Sequence, residues 1–548
     1  MRSHKLLALL FCLITGPALA GYMTLLGAGL GAIQPVAQSN FIQSSYSANL
    51  ADLNAVATFS RAGNAMQFDS SGYLTYGPNN LLTYSNTFSN AAWSKTSVTV
   101  SSGVDDPVGG TAAWTLTATG ANGFIQQNYT AIGPAINWFW VRRRTGTGNV
   151  LLCDAGGTGR TMTVTGSWTQ VYYKAPATGT GFFYIQLATS GDAIDVYAAG
   201  GSLVGAETTP RTQDQVITTS AAHYGPRFTA ALGSGTVLGV LEEEARTNIV
   251  LWNRDLTNAA WVKTNATAAK TQTGIDNVAN SASVITATAG NGTVLQSVTL
   301  ASSQRMQTAY VKRVTGSGVI NMTTDGGATW TAITVTAAYT RVHIPAQTVT
   351  NPQFGFQIVT NGDAIAVDYV QNETGASETT PIYTQAAAVA RPAETIQAAG
   401  AALTALQGAN WTAFVETAAL PGVVAGSTAL LGLNVSQTVL YVGNATQVAT
   451  YNGSSGLTAT VGSSGNFTTG AVRAGIASSS SGRSLVANGG TVSTDANSAA
   501  PTAVTSAYLG SINGGAFPVN GPIASFAVYN SRLPDAMLQA KSVVGAAY

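Results

Sequence analysis

Charge is scarce in this chain. Of 548 residues only 9 % are Asp, Glu, Lys or Arg, and 24 basic against 23 acidic side chains leave a net charge of +1. Duplex-binding domains draw their affinity from clustered Lys and Arg that neutralise phosphates, so this balance argues against a nucleic-acid partner. The densest basic spot, Arg142-Arg143-Arg144, reads either as a polyanion contact or as the solvated end of a strand. Cysteine is almost absent, with only Cys12 and Cys153. Cys12 lies in an N-terminal apolar run; once that run is removed, one thiol remains. An intrachain disulfide and zinc sites of four cysteines, or of two cysteines and two histidines, are then excluded. Cys153 reads as a small core residue. Three histidines, His4, His223 and His343, leave no His-rich metal site. The dipeptide Gly-Lys never occurs, so there is no phosphate-binding P-loop. No Gly-x-Ser-x-Gly turn sits between a strand and a helix. Past the N-terminus no apolar run has the length of a membrane span.

What the chain has in abundance is Gly, at 60 residues, together with Thr, Ser, Ala and Val. Thr and Val suit pleated, half-buried surfaces, and Gly marks turns and bulges. Stretches such as Thr96-Ser-Val-Thr-Val-Ser101 and Trp114-Thr-Leu-Thr-Ala-Thr119 largely alternate hydroxyl and apolar side chains, the pattern of antiparallel strands with one wet face. The length exceeds one core. The fold class is all-β, as tandem antiparallel β-sandwiches.

The chain repeats itself. Asn80-Leu-Leu-Thr-Tyr-Ser-Asn86 with Ser89-Asn-Ala-Ala-Trp-Ser-Lys-Thr96 returns as Asn248-Ile-Val-Leu-Trp-Asn253 with Thr257-Asn-Ala-Ala-Trp-Val-Lys-Thr264. Trp140 and Tyr310 open matching segments 170 residues apart; Gly191-Asp-Ala-Ile and Gly362-Asp-Ala-Ile, then Glu207-Thr-Thr-Pro and Glu378-Thr-Thr-Pro, follow at 171. A constant offset of this size means two homologous domains, since solenoid repeats recur every 20–50 residues or so. Each copy has the size of a two-sheet jelly roll.

The N-terminus carries a basic head, Met1–Lys5, an apolar stretch from Leu6 to Thr15, and Ala18-Leu-Ala20 before Gly21. This reads as a secretory signal, with an uncleaved anchor over Leu6–Ile33 as the alternative. The expected organisation is a leader over 1–20, a linker or docking segment with short strands over 21–78, a first sandwich over 79–210, a connection over 211–247, a second sandwich over 248–385, a third over 395–535, and a short helix over 536–548.

Several motifs together resemble those of bacteriophage virion and tail-fibre proteins. Leu238-Gly-Val-Leu-Glu-Glu-Glu-Ala-Arg-Thr-Asn248 resembles that group's "GLLIEEARTNLL" stretch, Ala57-Thr-Phe-Ser-Arg-Ala62 with Phe68-Asp-Ser-Ser-Gly72 its entry, and Ala388-Val-Ala-Arg-Pro-Ala-Glu394 its exit. Gly521-Pro-Ile-Ala-Ser-Phe-Ala-Val-Tyr-Asn530 resembles the closing strand of concanavalin-like and laminin-G-like sandwiches. The resemblance covers about residues 57–78 and 205–535. It implies two homologous jelly rolls plus a C-terminal concanavalin-like or laminin-G-like sandwich, a place in a virion, host-surface glycan or other virion proteins as partners, and a homotrimer. Met23 then becomes an alternative start. The family's acids after "PRF" are replaced here by Thr229-Ala-Ala, so no role is carried over for them. The competing readings are a secreted or periplasmic carbohydrate-binding protein or adhesin, which the leader favours, and a glycan-cleaving spike.

Candidate site residues follow. Cleaving a glycan needs two carboxylates across a cleft; Glu242, Glu243 and Glu244 are the densest acidic group, but adjacent strand side chains point to opposite faces. They read, with Arg246 and Asn248, as a structural salt-bridged strand, so no catalytic residue is assigned. Sugar sites use aromatic faces: the repeated Trp93 and Trp261 are candidates, as are Trp138 and Trp168, with a core anchor as the plainer role for the repeated pair. Asp192 and Asp363, in matching Gly-Asp turns, could hold structural Ca²⁺ through oxygen ligands, or simply close the turn. No other cofactor is expected.

Overall fold

The computed structural model describes residues 34–153, 159–175, 179–418, 428–434, 437–444, 447–451, 456–460, 470–496, 504–512 and 517–548. The leader, Cys12 and the alternative start at Met23 lie outside them. The named strands pair in antiparallel ladders, and the sheets stack as three β-sandwiches.

The first jelly roll has two five-stranded sheets. One runs in the order 169–175, 135–145, 193–203, 113–118, 98–104; the other runs 159–162, 150–153, 179–187, 123–131, 94–96. The second repeats both orders strand for strand: 340–349, 303–315, 364–374, 282–287, 266–272, and 331–333, 320–323, 353–358, 292–297, 262–264. The repeated Asn-aliphatic motif explains itself locally. Asn80 Nδ2 donates to the carbonyls of Ala199 and Val216 while its Oδ1 accepts from Leu82 and Gly201 N–H. Asn248 does the same with Val370, Ile382, Val250 and Asn372. One side-chain amide thus satisfies four buried backbone groups where the chain enters each sandwich.

The third sandwich is assembled from distant pieces. Its eight-stranded sheet runs 228–230, 237–242, 521–529, 411–417, 472–479, 482–487, 493–495, with 37–40 also pairing 521–529. Its seven-stranded sheet runs 57–61, 394–398, 507–509, 428–433, 437–444, 447–451, 456–460. Residues 34–61, the first part of the stretch read as linker or docking segment, supply two strands and the helix Tyr46–Val56. The connection between the jelly rolls supplies the hairpin 228–242. Both jelly rolls are therefore insertions between strands of this sandwich. Its core includes Leu53, Val240, Ile396, Trp411, Leu431 and Phe526, all at most 1 % exposed. The C-terminal helix is shorter than the sequence suggests, Asp535–Lys541. Ser542 Oγ bonds the Gln539 carbonyl, and the residues beyond fold back so that Tyr548 reaches Ser525 at 2.6 Å.

Candidate functional site

The acidic motif lies inside the protein, where the three sandwiches meet. Glu242, on the last position of its strand, is fully buried against the third sandwich and accepts from Val519 N–H at 3.2 Å. Burial, with the Glu394 carboxylate nearby, pushes its carboxyl well above the usual range, since both disfavour the charged form. Glu243 points the other way. It accepts from Arg227 Nη2 at 2.6 Å, from Thr380 N–H and Oγ1 at 2.6 Å each, and pairs with Arg391 Nη1 at 3.1 Å. Burial opposes its ionisation, but the Arg391 and Arg227 guanidiniums and the Thr380 hydroxyl hold it at about 2. Arg227 also grips Glu394, which pairs with Arg61 at 2.8 Å. Glu244 is shared by Arg246 and Asn520. This network joins the entry strand, the hairpin between modules, the end of the second jelly roll and the exit strand.

The tryptophan candidates are corrected in part. Trp93 and Trp261 are 2 % and 1 % exposed, and their Nε1 atoms donate to the carbonyls of Tyr84 and Trp252. Trp93 packs on Phe88 and Phe183, and Trp261 on Phe354. Trp138 is fully buried. None of the three can face a sugar: Trp93 and Trp261 plug the core beside the repeated turn, and Trp138 packs with Ile136, Ala198 and Val204. Trp168 is partly exposed, with the Arg142 guanidinium 5.0 Å above its ring.

Asp192 and Asp363 are turn clamps. Asp192 Oδ2 accepts from Gly148 N–H at 2.7 Å and from Arg143 Nη1 at 3.3 Å; Asp363 repeats this with Gly318 and Arg313 at 2.7 and 3.4 Å. A Cβ on Gly146, at φ +79°, would sit 1.8 Å from Asp192 Oδ1, which is why Thr-Gly-x-Gly and Gly-Asp recur together. In both copies it is Oδ2 that holds the turn, and among the described residues no three His, Cys, Asp or Glu side chains are grouped so as to hold a metal ion. Arg142 and Arg144 pair with Asp195 at 2.8 and 2.7 Å, so the basic run is matched locally.

The face best built for a ligand is one the sequence did not single out. On the sheet containing 123–131 and 179–187, Ile125, Phe183, Ile185 and Leu187 point into the core, each fully buried. The alternate positions point outward and are aromatic or amide: Phe124, Gln126, Asn128, Phe182, Tyr184, Gln186. Phe124 and Tyr184 stack at 4.7 Å and 29°, and Gln186 Nε2 donates to Tyr184 Oη at 3.1 Å. Gln126 lies directly across from Tyr184 on one side and Ser94 on the other. There the face opens into a cleft of about 330 Å³ lined by Leu81, Thr83, Ser94, Gln126 and Asn128, among others. Gln127 fixes the cleft wall through a two-way bond with Thr83. Its sequence signal is the alternation in Gly123-Phe-Ile-Gln-Gln-Asn128 and Phe182-Phe-Tyr-Ile-Gln-Leu187.

No family model matches this chain, and no curated protein matches it. Among solved structures it is similar to the tandem CBM22-1–CBM22-2 domain of Paenibacillus barcinonensis Xyn10C, at 12 % identity over 55 % of this chain and 98 % of that one, with a TM-score of 0.21. It is also similar to a Paenibacillus xanthan lyase, at 14 % identity over 50 % of this chain and 25 % of that one, with a TM-score of 0.19. Likeness at this level is no guide to function.

Proposed function

We propose that this chain is a non-enzymatic surface-binding protein that holds glycan on the outer sheet face of its first jelly roll. The observation that carries this reading is the Phe124–Tyr184 stack, set among amides and beside a cleft of about 330 Å³. Aromatic faces take the apolar faces of sugar rings, while a few placed amides and hydroxyls fix orientation. Rigid sandwiches positioning such a face suit a phage tail fibre or other appendage, the setting suggested by the Leu238–Asn248 motif, with host-surface glycan as partner and several copies, as in a homotrimer, adding avidity. The burial of Glu242 and the clamping of Glu243 by arginines support a structural rather than a glycan-cleaving role for the acidic motif, since an enzyme needs one exposed protonated acid.

Two experiments test this. Binding of the purified protein to host cells is expected to fall when surface sugars are oxidised with periodate; binding that survives oxidation refutes the glycan reading. Mass spectrometry of purified virions is expected to find the chain beginning at Met1 or Met23. A chain beginning at Gly21 in culture supernatant and absent from particles would favour a secreted carbohydrate-binding protein, the reading that the Met1–Ala20 pattern supports.

A further inference from the structure

We infer that the two jelly rolls have divided their roles: the first takes an uncharged glycan, and the second cannot bind sugar at the matching place. This rests on the glycan reading above. The five strands of the first module's binding sheet contain two charged residues among those described, Lys95 and Arg160. Both sit on the inward parity, opposite Ile125 and Leu152, and Arg160, which is exposed, lies on the edge strand farthest from Ser94. Lys95 Nζ is folded onto the carbonyls of Asn90 and Trp93 at 3.1 and 2.8 Å. The outward positions offer only amide, hydroxyl, aromatic and aliphatic groups. Amides and hydroxyls both donate and accept, as sugar hydroxyls do. A carboxylate or sulfate brought onto this face would lose hydration with no cation to replace it.

The second module has the same strands in the same register. Gly292 stands where Gly123 does, and Ile358 where Leu187 does. The aromatic positions, however, are emptied: Thr293 replaces Phe124, Gly355 replaces Tyr184 and Gln353 replaces Phe182. Gly355 is more than a missing ring. Its φ is +153°, and a Cβ there would lie 2.0 Å from the Val294 carbonyl oxygen. The backbone at this point admits no side chain, so the platform cannot be rebuilt by substitution. Asn321 and Gln357 instead bond each other at 2.8 Å. The second module packs on the junction: Ile275, Tyr310 and Tyr369 join the first module's core cluster, and Thr380 bonds Glu243. It serves as the strut that holds the first module out.

The test is retention of the full chain on immobilised neutral oligosaccharides (hexose and N-acetylhexosamine oligomers) and acidic ones (uronate-, sialate- and sulfate-bearing). Neutral members are expected to be retained, with affinity unchanged between about 0.1 M and about 1 M salt. Phe124→Ala and Tyr184→Ala should weaken retention at least about tenfold, and Thr293→Ala and Gln357→Ala should leave it within about twofold. Gln126→Ala, which keeps the aromatic stack, should also weaken retention and serves if an aromatic variant fails to fold. Retention confined to acidic sugars, or abolished by salt, overturns the uncharged class while keeping the glycan reading. An equal loss in Gln357→Ala overturns the division between modules. Retention of no sugar by the folded wild type overturns both this inference and the reading beneath it.

Discussion

Replacing Glu243 by Gln should be among the most damaging conservative changes available in this protein. The amide keeps the shape but removes the charge that Arg227 and Arg391 share. Arg61 and Arg227 would then share Glu394, and Arg391 would lose the carboxylate it pairs with. Leaving a buried charge uncompensated costs about 3–5 kcal/mol. The proton-linkage route gives a similar figure. Holding the carboxyl at about 2 against an ordinary 4.5 corresponds to about 3 kcal/mol at neutral pH. Because the folded value is lowered, this stability is complete above about pH 4.5 and is lost as pH falls towards 2. The assay is urea unfolding at several pH values, followed by tryptophan fluorescence, with Glu244→Gln as control. Glu244 is 32 % exposed, and its loss should cost less than about 1 kcal/mol. The reasoning fails if Glu243→Gln lies within about 0.5 kcal/mol of wild type, if the two variants match, or if the gap persists undiminished at low pH.

Other outcomes follow from single contacts. Glu242→Gln should stabilise the protein at neutral pH. Burial and the Glu394 charge raise this carboxyl, so the wild type loses stability as pH rises above about 4.5. Thermal melts at pH 4 and pH 7 should show the gain only at the higher pH. Gly316→Ala, at φ +78° with its Cβ 1.9 Å from Asp363 Oδ1, should cost about 1–3 kcal/mol; Gly362→Ala, at φ +83° in open space, should cost less, as thermal shifts will tell. Trp261→Ala should cost about 3–5 kcal/mol yet leave sugar retention by the folded fraction intact, since Trp261 is a core plug.

The strand class and the duplicated sandwiches were legible because they rest on period and repetition: alternating Thr and Val, and landmarks at 170 or 171 residues. The split third sandwich was not. Strands 37–40 and 57–61 pair with partners several hundred residues away, and short edge strands carry no local mark of a distant partner. The helix Tyr46–Val56 was missed because only Asn49, Leu53 and Val56 are buried, a thin stripe. Trp93 and Trp261 are buried core residues: recurrence at one place in both copies marks what the fold needs, whereas a ligand face shows up where the copies differ. Phe124 against Thr293 and Tyr184 against Gly355 carry that difference. The acidic run read as a salt-bridged strand with Arg246 as its visible partner, because a sequence cannot show that Arg227 on one side and Arg391 with Glu394 on the other join the same network.

The most direct test of the account is hydrogen–deuterium exchange on the full chain with and without a saturating oligosaccharide retained by the wild type. The account predicts slowed exchange in 123–131 and 179–187 and no change in 292–297 or 353–358. Protection confined to the second module or to the third sandwich would contradict it.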